Sequence, residues 1–339
     1  MIIRKMPVDG AVVSLQTLRQ KEFCESEESR KAADGSLSFQ WYALEQGGVE
    51  HTLPLPVHFS WEEEGVETAL YQLLVSRQED MSAPQWVITG KTEYDWYNLE
   101  IGATYYWCVQ KDGKRSSVGS FSVAHILPRN LKIDGISNVR DMGGYRVKDG
   151  MLRQGRIFRG GELELHMHLT QEGALAMQAL GIRTDLDMRG EAVGVVEHFT
   201  SEALGMQHIL APSVPYADVF AEENRQSVRD FYQVFTRPEN FPIYYHCWGG
   251  ADRGGTAAFL LGAFFGMSYE DLIFEYEYTS LAIWGIRTRN YPPFAEAVRL
   301  LSELPGEDLQ EKARYFLKHY ADLTDAQLDW LYETMVEKR

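Results

Sequence analysis

The feature that most constrains this chain is one stretch in its second half, residues 242–265, which reads PIYYHCWGGADRGGTAAFLLGAFF. The aromatic and β-branched run predicts a buried strand, the glycines predict a loop of exposed backbone, and the second apolar run predicts a helix. Strand, loop and helix in this order are typical of a parallel α/β sheet. The residue after the strand, Cys247, should therefore lie at the carboxyl edge of the sheet, where such sheets bind ligands.

The loop that begins at Cys247 has the features of an anion site that also holds a nucleophile. Converging N–H groups and the amino end of the next helix favour negative charge, both on a thiolate and on a bound oxyanion. Gly249 and Gly250 let the backbone wrap closely, and the planar guanidinium of Arg253 can hold two oxygens of one anion. These residues predict in-line attack of the Cys247 sulfur on a phosphorus atom held in this cradle.

The rest of the second half alternates strands and helices, which predicts a mostly parallel sheet flanked by helices. Thr170 and Gly181 have the positions of an N-cap and a C′ residue around one of the helices. The predicted elements are a hairpin over 145–159 around Asp149-Gly150, helices over 169–181 and 228–235, a strand over 182–188, and capping boxes at 268–271 and 324–327.

The first half follows a period-2 pattern that predicts an all-β sandwich. Strands are predicted at 57–61, 71–75, 105–109 and 121–123. The stretch LEIGATY (99–105) has the L-x-x-G-x-x-Y spacing of a tyrosine corner, so with Trp61 this half resembles a fibronectin type III module. A first strand within 7–18 would be followed by a polar insertion of about 30 residues. Such a module docks a partner or serves as a spacer.

Two domains follow from these patterns: a β-sandwich over 1–125 and an α/β domain over 126–339, with ILPRN (126–130) as the linker.

The net charge of −16 argues against a nucleic-acid-binding protein. The three cysteines (Cys24, Cys108 and Cys247) are too few and too scattered for a disulfide framework. The sequence shows neither a signal-peptide pattern nor a membrane span, so a cytoplasmic location is expected. Spacing of the His and Cys residues predicts no metal site, and no cofactor is expected.

Residues 246–253, HCWGGADR, match the H-C-x5-R phosphate-binding loop (P-loop) of cysteine-dependent protein tyrosine phosphatases. Three further stretches resemble one bacterial tyrosine phosphatase family, which includes dual-specificity and phosphoinositide-active members. They are NVRDMGGY (138–145), with the N-x-R-D-x-G-G-Y pattern, GRIFRGGEL (155–163), and LGIRTDLDMRG (180–190), with the D-x-R pattern. The resemblance covers most of residues 130–335 and leaves 1–125 outside.

The resemblance implies a phosphocysteine intermediate on Cys247, a phosphoryl-binding role for Arg253, and a loop-orienting role for His246. It also implies that backbone groups of the loop bind the phosphate oxygens. The residues concerned are Trp248, Gly249, Gly250, Ala251, Asp252 and Gly254. The aromatic ring of Trp248 either stacks on an aromatic phosphoester or packs under the loop.

Two loop positions depart from the family pattern. Ala251 stands where Lys is common, which argues against phosphoinositide substrates. Gly254 stands where Ser or Thr usually follows the Arg, and that hydroxyl helps the sulfur leave the intermediate. Turnover should therefore be slow unless a neighbour such as Thr256 substitutes.

Cleavage of a phosphoester needs an acid that protonates the leaving oxygen. Asp252, in the loop itself, is the first candidate, Asp187 at the D-x-R strand end the second, and Asp218 the third. Asp141 is expected to pair with a nearby Arg. The long stretch 191–240 before the next clear strand is either a lid that excludes water or surface decoration.

These residues predict a phosphatase that acts on phosphotyrosine or, with dual specificity, on a wider range of phosphoproteins or small phosphoesters. A phosphoinositide or inositol-phosphate phosphatase, and a slow or inactive phosphate-binding pseudophosphatase, are the alternatives. A rhodanese-like sulfur transferase is disfavoured by the Arg six residues after Cys247.

Overall fold

A computed structural model of the chain describes residues 2–25, 49–63, 69–190 and 199–338. The chain divides into two compact units, one made of Met1–Thr17 and Pro54–Leu127, the other of Leu18–Leu53 and Pro128–Arg339. The first unit thus ends two residues beyond the predicted division at 125. The segment Leu18–Leu53, which the prediction assigned to the first domain, groups with the second unit. Residues 26–48 of the predicted polar insertion lie outside the described residues.

The first unit consists of two β-sheets around one apolar core. One sheet has the strand order β1-β3-β6, and the other has the order β2-β9-β7-β4-β5 with the short β8 beside β7. Inward-facing residues alternate with outward-facing ones, as in β3, where Val57, Phe59 and Trp61 are buried. The strands are β1 (Ile2–Met6), β2 (Ala11–Val13), β3 (Val57–Glu63), β4 (Tyr71–Ser76), β5 (Gln85–Thr89), β6 (Glu93–Trp96), β7 (Thr104–Lys111), β8 (Lys114–Arg115) and β9 (Gly119–Val123).

The second unit is built on a six-stranded sheet with the order β10-β11-β14-β17-β15-β16. The last four strands in this order are parallel, which confirms the predicted mostly parallel sheet. The strands are β10 (Arg129–Asn130), β11 (Arg140–Asp141), β14 (Ile157–Gly160), β15 (Thr184–Asp187), β16 (Gln207–Leu210) and β17 (Ile243–His246). In register, Gly160, His246 and Asp187 stand side by side at one edge. This edge positions the loop that begins at Cys247.

Helices cover this sheet, and their predicted ends are confirmed where they carry capping signals. The Thr170 hydroxyl accepts from the Gly173 N–H at 3.1 Å, Gly181 has φ +70°, and Thr324 with Gln327 forms a complete capping box. After α1 (Leu18–Glu25) come α2 (Gln171–Ala179), α3 (Thr200–Ala203), α4 (Arg225–Gln233), α5 (Arg253–Phe265), α6 (Tyr269–Glu277), α7 (Pro292–Glu303), α8 (Leu309–His319) and α9 (Asp325–Met335). None of the helices in the described ranges is long and apolar enough to cross a membrane.

A small antiparallel sheet of order β12-β13-β18 completes the second unit. Its strands are β12 (Arg146–Val147), β13 (Gly150–Leu152) and β18 (Val336–Lys338). The predicted hairpin is present, and Val147 pairs with Gly150, so its turn lies one residue earlier than predicted.

The segment Leu18–Leu53 joins the rest of the second unit through aromatic and polar contacts. The ring of Phe23 meets that of Tyr278 edge-on, with 5.7 Å between centroids. The buried Gln20 amide donates to the carbonyls of His51 and Leu53, both at 2.8 Å. The His51 N–H then donates to the Leu281 carbonyl at 2.9 Å. These contacts explain why this part of the insertion belongs with the α/β unit.

Candidate active site

Cys247 follows β17 directly, and α5 begins six residues later at Arg253. The Cys247 side chain is buried, with 3% of its surface exposed. The strand, loop and helix predicted from residues 242–265 are therefore all present, and the register of β14, β17 and β15 explains why the loop lies at the carboxyl edge of the sheet.

The carbonyl oxygens of the loop are all occupied by hydrogen-bond donors. The donors are His246 Nδ1 to Cys247 (3.0 Å), the Glu162 N–H to Trp248 (3.0 Å), Asn138 Nδ2 to Gly249 (3.0 Å), Arg159 Nη2 to Gly250, the Gly255 N–H to Ala251 (3.0 Å) and the Thr256 N–H to Asp252 (2.9 Å). Because a peptide group points its N–H away from its C=O, this arrangement orients the N–H groups together on the opposite side.

The N–H groups of residues 248–254 donate to no acceptor within the described ranges. Gly249, Gly250 and Ala251 are buried residues before the helix, and a buried N–H without an acceptor costs about 1–3 kcal/mol, so these donors favour a bound partner. Such a run at the start of a helix is an anion-binding nest. Gly250 has φ +64°, and a Cβ there would lie 2.3 Å from the Gly160 carbonyl oxygen, so the loop needs glycine at this position.

A buried ionic network holds the loop from behind. Glu275 of α6 accepts from Arg140 Nε and from Arg159 Nη1, both at 2.6 Å. Arg140 also donates to the side-chain oxygen of Asn138, and both arginines are fully buried. Through Asn138 and Arg159 the network reaches the carbonyls of Gly249 and Gly250. Asn138 has φ +63°, an uncommon conformation for a residue with a side chain, and such strain is frequent at functional sites.

Arg253 lies at the first position of α5, and its side chain is partly buried. Its Nη1 donates to the Met188 carbonyl at 3.0 Å, which holds the guanidinium at the same edge of the sheet as Cys247. The structure thus brings together the two residues predicted to bind and attack the phosphoryl group.

His246 precedes the nucleophile and is fully buried. Its Nε2 lies 2.9 Å from Asp185 Oδ1, at an angle that does not make a hydrogen bond, so the contact is an ion pair. Burial by itself lowers the pKa of His246, but the carboxylates of Asp185 and Asp187 outweigh it and raise the pKa to about 9. The imidazolium therefore places positive charge beside Cys247 and donates to the Cys247 carbonyl.

Asp187 is buried and held as a carboxylate. It accepts from Arg189 through Nε at 2.9 Å and Nη2 at 2.7 Å, and from the Arg189 N–H at 2.8 Å. Burial alone would raise the pKa of Asp187, but His246, His208 and Arg189 outweigh it and hold the pKa below its usual range. Asp187 and Arg189, the charged residues of the D-x-R motif, thus form an ion pair with each other.

Asp252 has a different environment, because 42% of its side chain is exposed. Arg287 donates to it through Nε at 2.8 Å and through Nη2 at 3.0 Å. The hydroxyl of Tyr216 donates to the same carboxylate. Asp252 is therefore accessible and firmly positioned.

The two remaining carboxylates lie elsewhere. Asp218 is exposed in the 3₁₀ turn Tyr216–Phe220. Asp141 is buried and pairs with Arg129 at 2.6 Å, as expected, although burial raises the pKa of this carboxyl. Residues 191–198 of the predicted lid or surface segment lie outside the described residues. The part that follows contains β16, which the sequence did not predict, and α4, whose Val228 and Phe231 are buried.

The departure from the family pattern at Gly254 leaves room at the start of α5. A Cβ on Gly254 would meet nothing closer than 3.7 Å. The Thr256 hydroxyl donates to the Asp252 carbonyl at 2.9 Å and accepts from the Tyr216 N–H at 2.8 Å. Both hydrogen bonds direct Thr256 to groups other than the Cys247 sulfur.

Trp248 is partly buried between two side chains of the neighbouring strand ends. Its ring meets His166 edge-on at 4.6 Å between centroids, and the Arg189 guanidinium carbon lies 5.6 Å from its centroid. On the other side of the loop, Trp284 packs so closely under Gly249 that a Cβ there would lie 2.6 Å from the indole. Trp248 thus packs against the protein.

Sequence reasoning missed several residues that hold the loop. Asn138, Arg140 and Arg159 stand in the motifs NVRDMGGY and GRIFRGGEL, and those motifs could have indicated them. Glu275, Arg287 and Tyr216 carry no such signal, because only the fold brings them to residues 249–252. No group of three or more His, Cys, Asp or Glu side chains in the described part of the chain could hold a metal ion.

Comparisons with known proteins found similarity to a named tyrosine phosphatase. The "Putative tyrosine-protein phosphatase" of Cupriavidus necator is 29% identical to this chain over an alignment that covers 43% of the chain and 62% of the relative. The chain thus spans less than two thirds of that relative's length. Among solved structures, the core catalytic domain of the PP-IP phosphatase Siw14 from S. cerevisiae matches with 15% identity and a TM-score of 0.32, over 52% of this chain and 89% of the other.

The "Putative phosphatase (DUF442)" from Shewanella putrefaciens matches with 11% identity and a TM-score of 0.25, over 51% of this chain and 95% of the other. TM-scores this low do not establish a shared fold. The family model described as "Tyrosine phosphatase family" matches residues 131–337, which is well over half of the chain and contains the whole loop. This match confirms the family predicted from the residues around Cys247: the chain belongs to the tyrosine phosphatase family.

Proposed function

We propose that this protein is a cysteine-dependent phosphatase that hydrolyses phosphomonoesters through a phosphocysteine intermediate. The observation that carries the proposal is the run of unpaired N–H groups at 248–254, in a loop that begins with Cys247 and ends with Arg253. These donors fit the equatorial oxygens of a phosphoryl group, and the guanidinium of Arg253 supplies two further N–H donors.

Two steps complete the proposed reaction. The Cys247 sulfur attacks phosphorus, an S–P bond forms, and the P–O bond to the leaving group breaks while an acid donates a proton to the leaving oxygen. Water then gives a proton to the carboxylate that the acid has become and attacks phosphorus, the S–P bond breaks, and inorganic phosphate and the thiolate are released. The protonated His246 and the amino end of α5 stabilise the thiolate in both steps.

We assign the general acid to Asp252 rather than to Asp187. Asp187 is fully buried and its lowered pKa leaves it without a proton to give. Asp252 lies in the loop, and a large part of its side chain is exposed.

Phosphotyrosine or a broader set of phosphoproteins is the proposed substrate class, since Ala251 supplies no cation for further phosphate groups. A slow enzyme that retains phosphorylated ligands is the second candidate. It is favoured by the position of Thr256, whose hydroxyl is engaged by Asp252 and Tyr216, together with the missing hydroxyl at Gly254.

The test is hydrolysis of p-nitrophenyl phosphate in the presence of EDTA. We expect Cys247→Ser to abolish activity while keeping affinity for vanadate, because the cradle is unchanged. Cys108→Ser, which removes a buried thiol of the first unit, is the matched control and should keep full activity. Undiminished hydrolysis by Cys247→Ser would refute the proposed nucleophile.

We also propose that the first unit is a fibronectin type III-like module. The hydroxyl of Tyr105 accepts from the Glu100 N–H at 2.8 Å, which is the contact expected of a tyrosine corner. Tyr105→Phe should lower the free energy of unfolding of this unit by about 1 kcal/mol, because one hydrogen bond is lost. An unchanged unfolding curve would argue against the tyrosine corner.

A further inference from the structure

We propose that Arg287 is a positioning residue for the general acid. Its planar fork holds the Asp252 carboxyl in place for proton transfer to the leaving oxygen. The inference rests on the proposed function, in which Asp252 is the acid. Nothing in the sequence around Arg287 indicates this role, because 35 residues separate it from Asp252.

The first observation is the bidentate geometry. Nε of Arg287 lies 2.8 Å from Oδ1 of Asp252, and Nη2 lies 3.0 Å from Oδ2. Two parallel charge-assisted hydrogen bonds fix the plane of the carboxyl as well as its position. A point charge such as that of a lysine cannot do this.

The second observation is that Arg287 is itself held. Its N–H donates to the Ser280 hydroxyl at 2.8 Å, and that hydroxyl donates to the Arg287 carbonyl at 3.0 Å. Nη1 donates to the carbonyls of Trp284 at 3.3 Å and Ile286 at 3.1 Å. All three guanidinium nitrogens are thus engaged, which favours a positioning role over a second anion-binding role.

The third observation concerns the other groups that face Asp252. Tyr216 donates its hydroxyl to Asp252, and the hydroxyl of Tyr276 of α6 lies 3.1 Å from that of Tyr216. Burial raises the pKa of both tyrosines, so both remain neutral over the working range of pH. The neighbouring Arg253 directs its Nη1 to the Met188 carbonyl. Arg287 is therefore a charged side chain that hydrogen-bonds Asp252 directly.

Two consequences follow for catalysis. Arg287 holds the acid in a productive direction, which matters most when the leaving group is a poor one and needs the proton. Its positive charge also lies beside the carboxyl that donates the proton, so loss of that charge should change the pH dependence of the reaction. Both effects act through Asp252 and leave phosphate binding intact.

The experiment compares Arg287→Gln, Arg287→Lys and Arg289→Gln on two substrates, phenyl phosphate and p-nitrophenyl phosphate. Arg289 is a matched control, because it holds Glu277 through the same two nitrogens at 2.8 and 2.7 Å. We expect Arg287→Gln to lower kcat for phenyl phosphate roughly 10- to 100-fold, part of the about 10²–10⁴-fold that an acid contributes. The loss for p-nitrophenyl phosphate should be several times smaller, since its leaving group needs the proton less.

The pH profile supplies a second readout. The basic limb of kcat/KM should move to higher pH in Arg287→Gln and stay near its original place in Arg287→Lys, which keeps the charge. Arg289→Gln should match the wild type in both readouts. In an Asp252→Asn background, Arg287→Gln should cause little further loss.

An equal decrease in kcat for both substrates, with the basic limb of the pH profile unchanged, would overturn the inference, because a merely structural role predicts that pattern. An additional large loss in the Asp252→Asn background would overturn it as well. Vanadate affinity and thermal unfolding of each variant show whether the site is folded. If Arg287→Gln does not fold, Arg287→Lys tests the inference instead. It loses the bidentate guanidinium, so it must still lower kcat more for phenyl phosphate than for p-nitrophenyl phosphate. Failure of the proposed function is distinct: Cys247→Ser would then remain active whatever the Arg287 variants do.

Discussion

The cores of the two units differ in what they bury. In the first unit the core is made of apolar side chains such as Phe59, Trp61 and Trp107, and within its described residues Ser76 is the one buried polar residue. Within its described residues, the second unit buries eleven Arg, Asp, Glu and His residues. They are Arg129, Arg140, Asp141, Arg159, Glu162, Asp185, Asp187, Arg189, His246, Glu275 and Glu277.

Buried charges are costly, and an apolar core of the same volume is often at least as stable. Some of them hold the loop that begins at Cys247: Arg159 and His246 donate to loop carbonyls, and Glu275 accepts from Arg159. The first core is thus held by apolar packing, whereas the second includes charged groups that orient a few peptide groups of the loop.

The largest expected effect separates the two acids of the site. Asp252→Asn should lower kcat for phenyl phosphate by about 10²–10⁴-fold and remove the basic limb of the pH profile, because it removes the acid. Asp187→Asn should instead act on stability, since it leaves the buried Arg189 without one of the carboxylates that pair with it. Steady-state pH profiles and thermal unfolding check both variants. A retained basic limb in Asp252→Asn would contradict the assignment.

The next prediction compares the two cores directly. Glu275→Ala should lower the free energy of unfolding by about 3–5 kcal/mol, because two buried arginines lose their partner. Phe59→Ala should lower it by a similar amount, about 3–5 kcal/mol, through a cavity in the first unit. Under conditions where both variants are folded, vanadate affinity should fall only in Glu275→Ala. Equal affinities in the two variants would show that the ionic network does not orient the loop.

The pH dependence of stability provides a third prediction. The pKa of His246 is raised to about 9 in the folded protein, from about 6.5 when unfolded. A raised pKa contributes stability that is fully present below pH 6.5 and is lost as pH rises through 9. The contribution is up to about 3 kcal/mol, because a tenfold change in proton affinity corresponds to about 1.4 kcal/mol. Urea unfolding between pH 6 and pH 10 should therefore show a decline that His246→Gln lacks.

The smallest expected effect concerns the position after Arg253. Gly254→Ser should speed breakdown of the phosphocysteine roughly tenfold, since one hydrogen bond to the charged sulfur contributes about 1.5 kcal/mol. The Cβ has room, because its nearest neighbour would lie 3.7 Å away. Pre-steady-state kinetics with p-nitrophenyl phosphate measure this step. Gly254→Ala adds the same Cβ without a hydroxyl and should show no acceleration; if it accelerates equally, the hydroxyl is not the cause.

Local signals predicted the elements that form the loop. The run IYYH, the glycines after Cys247 and the apolar α5 each specify their own conformation, so strand, loop and helix could be placed from the sequence. The position of Asp187 beside this loop could also be predicted, because parallel strands end at the same edge of a sheet. The strand β1 was missed, since Arg4 and Lys5 break its alternation and most of its residues are exposed.

The support of the loop could not be predicted, because it depends on contacts distant in sequence. Glu275 is 116 residues from Arg159 along the chain, and a helix pattern does not show which buried carboxylate meets which guanidinium. The choice between Asp187 and Asp252 also needed the fold. Arg189 pairs with Asp187 and Arg287 pairs with Asp252, so the two differ in the burial and lowered pKa of Asp187 and in the exposure of Asp252.

The placement of Leu18–Leu53 has a consequence for how this protein can be divided. A single protease cut between Leu127 and Pro128 severs the backbone once, yet the amino-terminal fragment carries Gln20, Phe23 and His51, which pack within the α/β unit. The two fragments should therefore remain together without a covalent link. Expression of 128–339 alone produces an α/β unit that exposes the ring of Tyr278 and leaves the Leu281 carbonyl without its donor. Complementation with a peptide that spans 18–53 is then the natural way to restore it.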